Sequence, residues 1–493
     1  MTERLSARTV LPAGVGAPGY ERAGRKSGIV HLGTGAFHKA HQAVYTDDAL
    51  AASGGDWMIT GVSLRSADVA GTLNPQDGLY TLIIRDGEGD AARVIGSISN
   101  VLAAPEEPEA VLDALAAPET RIVSLTITEK GYGIDARTGG LDRAHPAIAA
   151  DLADPRQPRS AIGLIVEALR RRRERGLEPF TVLCCDNLPS NGRVVARLVR
   201  EFTREIDAAL ADYIADHVSF PSTMVDRITP ASTDKTQEDV RRLIGCEDRA
   251  TVETEPFTQW IVEDDFVDGR PDWEAGGALF VKNVAPYEKM KLRMLNGSHS
   301  MLAYSGYIAG HKYVRDVMAD GDLGALVARH MAEAAKTLDP VPGVDLSQYA
   351  GDLGRRFANP VMAHETYQIA MDGTQKLPQR IIEPALAAQE RGLALDAYCF
   401  AVAAWMRYAL GVDEAGERYA LRDPREQDIA AALSGCGRDA SMIVDALLAL
   451  PGLFPAPLVE AREWRRGIAR RLAVMLGEGM GAAIAAEVRE HRA

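Results

Sequence analysis

The sequence predicts two domains of different class: an α/β domain with a doubly wound parallel sheet, then a mostly α-helical domain. Three observations carry this. Strand-like and helix-like segments alternate through the first half, a Gly-rich turn joins the first strand to the first helix, and from Tyr287 onward the apolar spacing is helical almost throughout. A chain of 493 residues is too long for one compact core. The boundary is placed near residue 285, giving domains of 1–285, with insertions, and 286–493.

Taken in order, "SGIVHLGTGAFHKAH" is a short apolar run, a Gly-rich turn and a segment of helical character continuing through "QAVYTDDALAAS". "WMITGVSL" supplies the next strand. "LYTLIIRD" and "ARVIGSIS" read as an antiparallel insertion, and "EAVLDALAA" as a helix. "RIVSLTIT" is apolar enough to be buried on both faces of a parallel sheet. A helix from about Ser160 to Arg175 follows, then the strand "FTVLCC" and a helix starting near Gly192. The basic run "RRRRERG", Arg170 to Gly176, has the form of a helix C-terminus, with cations on the negative dipole end and Gly as the cap. The region from Asp226 to Phe280 reads either way. "YEKMKLRMLNGSHSMLAYSGYIAG", residues 287 to 310, has the spacing of a buried helix.

The bulk composition narrows the partners. With 46% hydrophobic and 25% charged residues the chain reads as a globular protein, and a net charge of −14 argues against nucleic acid or an anionic membrane surface. A small molecule is the expected partner, with the chain a monomer or small homo-oligomer. Cys184, Cys185, Cys246, Cys399 and Cys436 show neither metal-ligand spacing nor a disulfide framework, so no metal is expected. The start "MTERLSARTVLPAG" lacks a signal-peptide core and no run of 18 apolar residues occurs, so a reducing cytoplasmic location is expected.

Ligands of a parallel sheet bind at the carboxyl ends of its strands, where this sequence places "GTGAFH", "TEKGY" and "CDNLPSNG". "GTGAFH" supplies two glycines of a dinucleotide fingerprint, Gly33 for the tight turn and Gly35 for approach to a pyrophosphate, with Ala36 and Phe37 opening the helix. His38 stands where a third glycine would be. Asp68 falls where an acid would meet the adenosine ribose, favouring NAD, although Arg65 leaves NADP open; the alternative is a helix cap. Within the helix at 287–310, a 100° step puts Asn296 at about 140° and His299 at about 80° from Lys291, on less than half of the circumference. Lys291 as base, Asn296 and Asn187 as donors to the reacting oxygen, and His299 orienting a neighbouring hydroxyl would suit oxidation of a secondary alcohol. The bland reading keeps Lys291 snorkelling outward, His299 as a core histidine and Asn296–Gly297 as a helix end.

"HLGTGAFHKAHQ", "SLTITEKGY", "CDNLPSNG", "MVDRITP", "EPFTQWIVEDDFVDGRPDW", "KLRMLNGSHS", "IAMDGTQKLPQR" and "AAWMRYALGVDE" together resemble the long-chain mannitol dehydrogenase family across nearly the whole chain. The resemblance implies a Rossmann domain, a helical substrate domain, a cleft between them, and NAD(P) without metal. It carries the base onto Lys291, the oxygen-holding asparagines onto Asn187 and Asn296, and a substrate-binding histidine onto His299. It carries substrate contacts onto Asp226 and Lys376, and a glutamate linked to proton release onto Glu288. Gln368 stands where mannitol dehydrogenases resemble each other in having arginine. With "TEKGY" and "QKLPQR", that makes the sequence look closer to the fructuronate reductase branch. For a substrate carboxylate Lys376 is the first candidate partner, with Lys130 and Arg380 behind it, either carboxylate contacts or solvated charges. The expected reaction is D-mannonate/D-fructuronate interconversion, the alternatives being mannitol/fructose chemistry or an idle dinucleotide-binding redox sensor.

Overall fold

The structure, a computed structural model, describes residues 3–87, 89–135 and 137–492. It divides into two compact units, Met1–Ala285 and Pro286–Ala493.

In the first unit β1 (Ile29–Leu32) leads through the glycine turn into α1 (Ala36–Ala40) and α2 (Gln42–Ser53). Next come β2 (Ile59–Ser63) and α3 (Asp68–Leu73). A hairpin of β3 (Tyr80–Asp86) and β4 (Gly89–Ile95) precedes β5 (Ile98–Ala103) and α4 (Pro108–Ala116). After β6 (Ile122–Leu125) the chain forms α5 (Pro146–Ala153) and α6 (Ala161–Glu174), then β7 (Thr181–Cys184) and α7 (Asn191–Ile206). The remainder holds α8 (Ala208–His217), β8 (Thr223–Asp226), α9 (Asp234–Ile244), β9 (Val252–Thr254), β10 (Gln259–Glu263) and β11 (Leu279–Val281).

The main sheet has the order β5-β2-β1-β6-β7 and is parallel throughout. Its strands β1, β2, β6 and β7 are short and buried along their whole length because both faces are covered. Val30, Leu32, Val123, Leu125 and Val182 enter one core cluster, while Ile29, Ile59, Ile122 and Leu183 enter another with Tyr45 and Trp57. This is the alternation of a pleated strand expressed as two cores. Sequence reading assigned "ARVIGSIS" to one insertion strand; β4 does pair antiparallel with β3, but Ile98 onward belongs to β5 and pairs with β2. The ambiguous stretch after Asp226 builds two small sheets, β11-β10-β8 and β4-β3-β9.

The basic helix end stands as read: Ser160 accepts from Gly163 N–H at the start of α6, Arg171, Arg172 and Arg173 lie in its last turn, and Gly176 takes φ +68° beyond it.

The second unit is helical. Residues 287–310 are not one α-helix: α10 (Ala285–Met290) passes into a π-helix, Lys291–Asn296, and only then into α11 (Gly297–Ile308). A π-helix closes i→i+5 bonds and turns less per residue than 100°, so the α-helical angles read from the sequence do not describe the observed face. The bland helix-end reading of Asn296–Gly297 also fails, since Gly297 is right-handed helical at φ −61°. A second π-helix, Pro378–Ile382, follows the short helix Gly373–Leu377 and packs against the first. Two tethers hold the first in place. Arg293 donates to the Thr337 carbonyl (2.7 Å) and hydroxyl (2.9 Å), and Gly297 approaches so closely that a Cβ would lie 2.7 Å from the Arg380 carbonyl oxygen.

Candidate active site

The first unit supplies a phosphate-type cradle where the strand order reverses between β1 and β6. Gly33 sits at φ +95°, and a Cβ there would meet the Thr126 carbonyl at 2.3 Å, so only glycine fits. Gly35 caps α1 and is exposed; a Cβ on it would find only the Gly33 oxygen, at 3.7 Å. As the first residues of α1, Ala36, Phe37 and His38 have N–H groups with no acceptor one turn earlier in the helix. The turn therefore fits the diphosphate of a dinucleotide. His38, in place of the third glycine, is fully buried and stacks on His31 at 3.4 Å. Beneath the turn, His31 Nδ1 and Nε2 each lie 2.8 Å from a hydroxyl, Ser124 and Thr126 respectively. Ser124 bonds Gln42 Oε1 (2.8 Å) and Thr126 bonds the Gly33 carbonyl (2.9 Å). Burial holds the His31 imidazole down at about 3, hence neutral.

Asp68 is exposed, five residues beyond β2, and accepts from Ser66 Oγ at 2.8 Å. It is not the helix cap: the cap is Ala67, with no side-chain bond, and Asp68 is the first residue of α3. Asn187 is exposed in the loop after β7 and borders a 360 Å³ cavity with Thr128, Glu129, Lys130 and Asp186. Thr128 adopts φ +68°, a conformation unfavourable for a β-branched residue; the Asp186 carboxylate accepts its N–H (3.0 Å), that of Ile127 (2.8 Å) and the Tyr132 hydroxyl (2.6 Å). Asp226, 6% exposed, ends β8.

In the second unit, Lys291 and Asn296 begin and end the first π-helix, with 8% and 6% exposure, and His299 follows in α11 at 8%. Asn296 Nδ2 and His299 Nε2 are buried without a hydrogen-bond partner in the protein, which is costly unless a ligand supplies one. His299 stacks on Phe357 at 4.3 Å and meets His364 edge-on at 5.4 Å. Burial, with the charges of His364, Arg380, Arg356 and Lys291, holds its pKa well below the usual value, so the ring is neutral. Burial and then Lys376 lower His364 likewise. Glu288 is half-buried in α10. Lys376 donates to the carbonyls of Ile369 (3.2 Å) and Met371 (2.6 Å), and Arg380, in the second π-helix, to Ser300 Oγ (3.3 Å). Gln368 is exposed on the short helix Thr366–Ala370. Sequence reading missed His364, Arg356 and Phe357, which lie 57 to 65 residues beyond His299 in segments with no motif of their own.

Among the described residues no group of three or more His, Cys, Asp or Glu side chains could hold a metal ion, and no helix is long and apolar enough to cross a membrane.

A parallel β5-β2-β1-β6-β7 sheet with a glycine turn at its switch point, followed by a helical unit, is the architecture of a two-domain dinucleotide-dependent oxidoreductase. The chain belongs to the mannitol dehydrogenase family: its residues 27–275 match the mannitol dehydrogenase Rossmann domain and 283–472 the mannitol dehydrogenase C-terminal domain. An uncharacterised oxidoreductase of Escherichia coli K12 is 47% identical over 91% of this chain and 92% of its own. D-mannonate oxidoreductase of the same organism is 45% identical over 89% and 91%. Mannitol 2-dehydrogenase of Pseudomonas fluorescens, solved as a ternary complex with NAD and D-mannitol, superposes with a TM-score of 0.85 at 38% identity, covering 99% of this chain and 100% of that one.

Proposed function

We propose that the protein is an NAD-dependent dehydrogenase interconverting D-mannonate and D-fructuronate. The observation that carries the carboxylate is the electrostatics around His299: Lys291, Arg356 and Arg380 all bear on one neutral histidine, and Lys376 on its neighbour His364. Positive charge gathered around the buried Asn296 and His299 nitrogens suits an anionic, hydroxyl-rich substrate better than a neutral polyol. The 45% identity to D-mannonate oxidoreductase supports the same substrate class. Asp68 at the start of α3 supports NAD over NADP, because a carboxylate there repels a 2′-phosphate.

The roles are divided between the units. In the first, Gly33, Gly35, Ala36 and Phe37 cradle the dinucleotide, which when bound accepts or supplies the hydride. Asn187 donates to the substrate oxygen and Asp226 accepts from a substrate hydroxyl. In the second, Lys291 takes the hydroxyl proton and passes it on toward Glu288, Asn296 Nδ2 donates to the oxygen as it gains carbonyl character, and neutral His299 orients an adjacent hydroxyl. Arg380, Lys376 and Gln368 face the carboxylate end. Because the ammonium of Lys376 already serves two carbonyls, Arg380 is the main carboxylate partner.

A mannitol/fructose pair is the second reading, favoured by the likeness to mannitol 2-dehydrogenase. Side-by-side kinetics with NADH decide: kcat/KM for fructuronate is expected to exceed that for fructose by at least about a hundredfold, roughly 2.7 kcal/mol of transition-state binding. A higher value for fructose would overturn the acid assignment.

A further inference from the structure

Asn191 is fully buried at the first position of α7, after Ser190 in the left-handed region (φ +50°). Every hydrogen-bonding atom of its amide is used. Oδ1 accepts from Thr223 N–H (2.9 Å) and Gly192 N–H (2.8 Å); Nδ2 donates to the Thr223 carbonyl (3.0 Å) and the Asp186 carbonyl (2.9 Å), with Thr223 Oγ1 at 3.2 Å. The side-chain amide thus pairs with Thr223 as a neighbouring strand's peptide group would. It does so where no ladder exists, because β7 ends the main sheet and β8 belongs to another. Thr223 in turn donates its hydroxyl to the Cys184 carbonyl at 2.7 Å.

The bond to Asp186 is the informative one. Asp186 is gripped at both ends, its carboxylate by Ile127, Thr128 and Tyr132 and its carbonyl by Asn191 and the N–H of Leu188. Asn187 is the next residue. Fixing the Asp186 peptide fixes the direction in which Asn187 leaves the backbone, while the Asn187 side chain itself is exposed.

We propose that Asn191 is a positioning residue that aims Asn187 by tying the Asp186 peptide to Thr223; this rests on the reading that Asn187 contacts the substrate oxygen. The decisive variant is Asn191→Asp, which keeps the acceptor for Thr223 but sets an acceptor against the Asp186 carbonyl. It is expected to lower kcat/KM for the keto substrate at least tenfold while the NADH dissociation constant, read by fluorescence titration, stays within about twofold, since the glycine turn is untouched. Asn191→Ala is expected to show the same split and serves if the buried carboxylate prevents folding. A residue acting through another adds little once that other is gone: Asn187→Ala/Asn191→Ala should be less than about threefold worse than Asn187→Ala alone. Wild-type kcat/KM in either folded Asn191 variant, loss of NADH affinity in parallel with activity, or a double variant as poor as the product of the singles would overturn the proposal. Wild-type activity in Asn187→Ala would sink the role of Asn187 itself, a separate failure.

Discussion

At the scale of single residues, buried polar groups were legible where they interrupt an apolar run. Lys291, Asn296 and His299 stood out because each occupies a position that a buried helix would give to Leu or Met, and all three are buried. Arg356 and His364 did not stand out, because neither lies in a sequence motif and only the fold brings them to His299. Asp68 could be read as a cap or a ribose contact from sequence alone, and the Ala67 cap removes the first. Lys291→Ala is expected to lower turnover at least about a hundredfold, the usual scale for a general base, and to leave NADH binding nearly unchanged. Steady-state kinetics beside an NADH titration check it. Partial recovery with a small added amine would mark the loss as chemical, whereas near-wild-type turnover would return the lysine to a structural role.

At the scale of elements, strands were visible as short apolar runs bounded by turn residues, and the long helices by their period. The hairpin-to-β5 transition was not, because Gly96 and Ser97 carry no signal of a change of sheet. Nor were the π-helices: "KLRMLN" satisfies an α-helical pattern equally well, and its wider turn is set by the Arg293–Thr337 tether and the second π-helix. Gly297→Ala tests that packing. The added methyl would sit 2.7 Å from the Arg380 carbonyl and 3.2 Å from His330 Nε2, and backbone on one side cannot swing away. A cost of about 1–3 kcal/mol is expected from urea denaturation, in line with overpacking. An unchanged midpoint would mean that the π turn yields cheaply.

For the whole molecule, the buried histidines set the response to acid. Burial lowers His31 to about 3 and His330 to about 4, and holds His38 and His299 well below their usual value. A histidine with a depressed folded pKa binds its proton more readily when unfolded. Stability is therefore full above about pH 6.5 and is lost as pH falls toward the folded values, by about 1.4 kcal/mol per histidine for each pH unit in that window. Burial-raised carboxylates such as Asp151 and Asp186 act in the opposite sense, since they bind a proton more readily when folded. Thermal midpoints measured from pH 7.5 to 4 should drop steadily below 6.5; a flat profile down to pH 5 would contradict this.

One of those histidines also constrains where protons lie behind the glycine turn. Gln42, Ser124, His31, Thr126 and the Gly33 carbonyl are joined by four links. With His31 neutral and Gln42 Oε1 toward Ser124, only three protons serve them: one from each hydroxyl and one from the ring. Gln42 Nε2, meanwhile, has no partner. Turning that amide over supplies the fourth proton, and every link is then made in a single sense. In that orientation Gln42 would give to Ser124, Ser124 to His31 Nδ1, His31 Nε2 to Thr126, and Thr126 to Gly33. The ring would thereby be fixed as one tautomer, and the carbonyl of the turn would be held by a wire of donors that begins on α2.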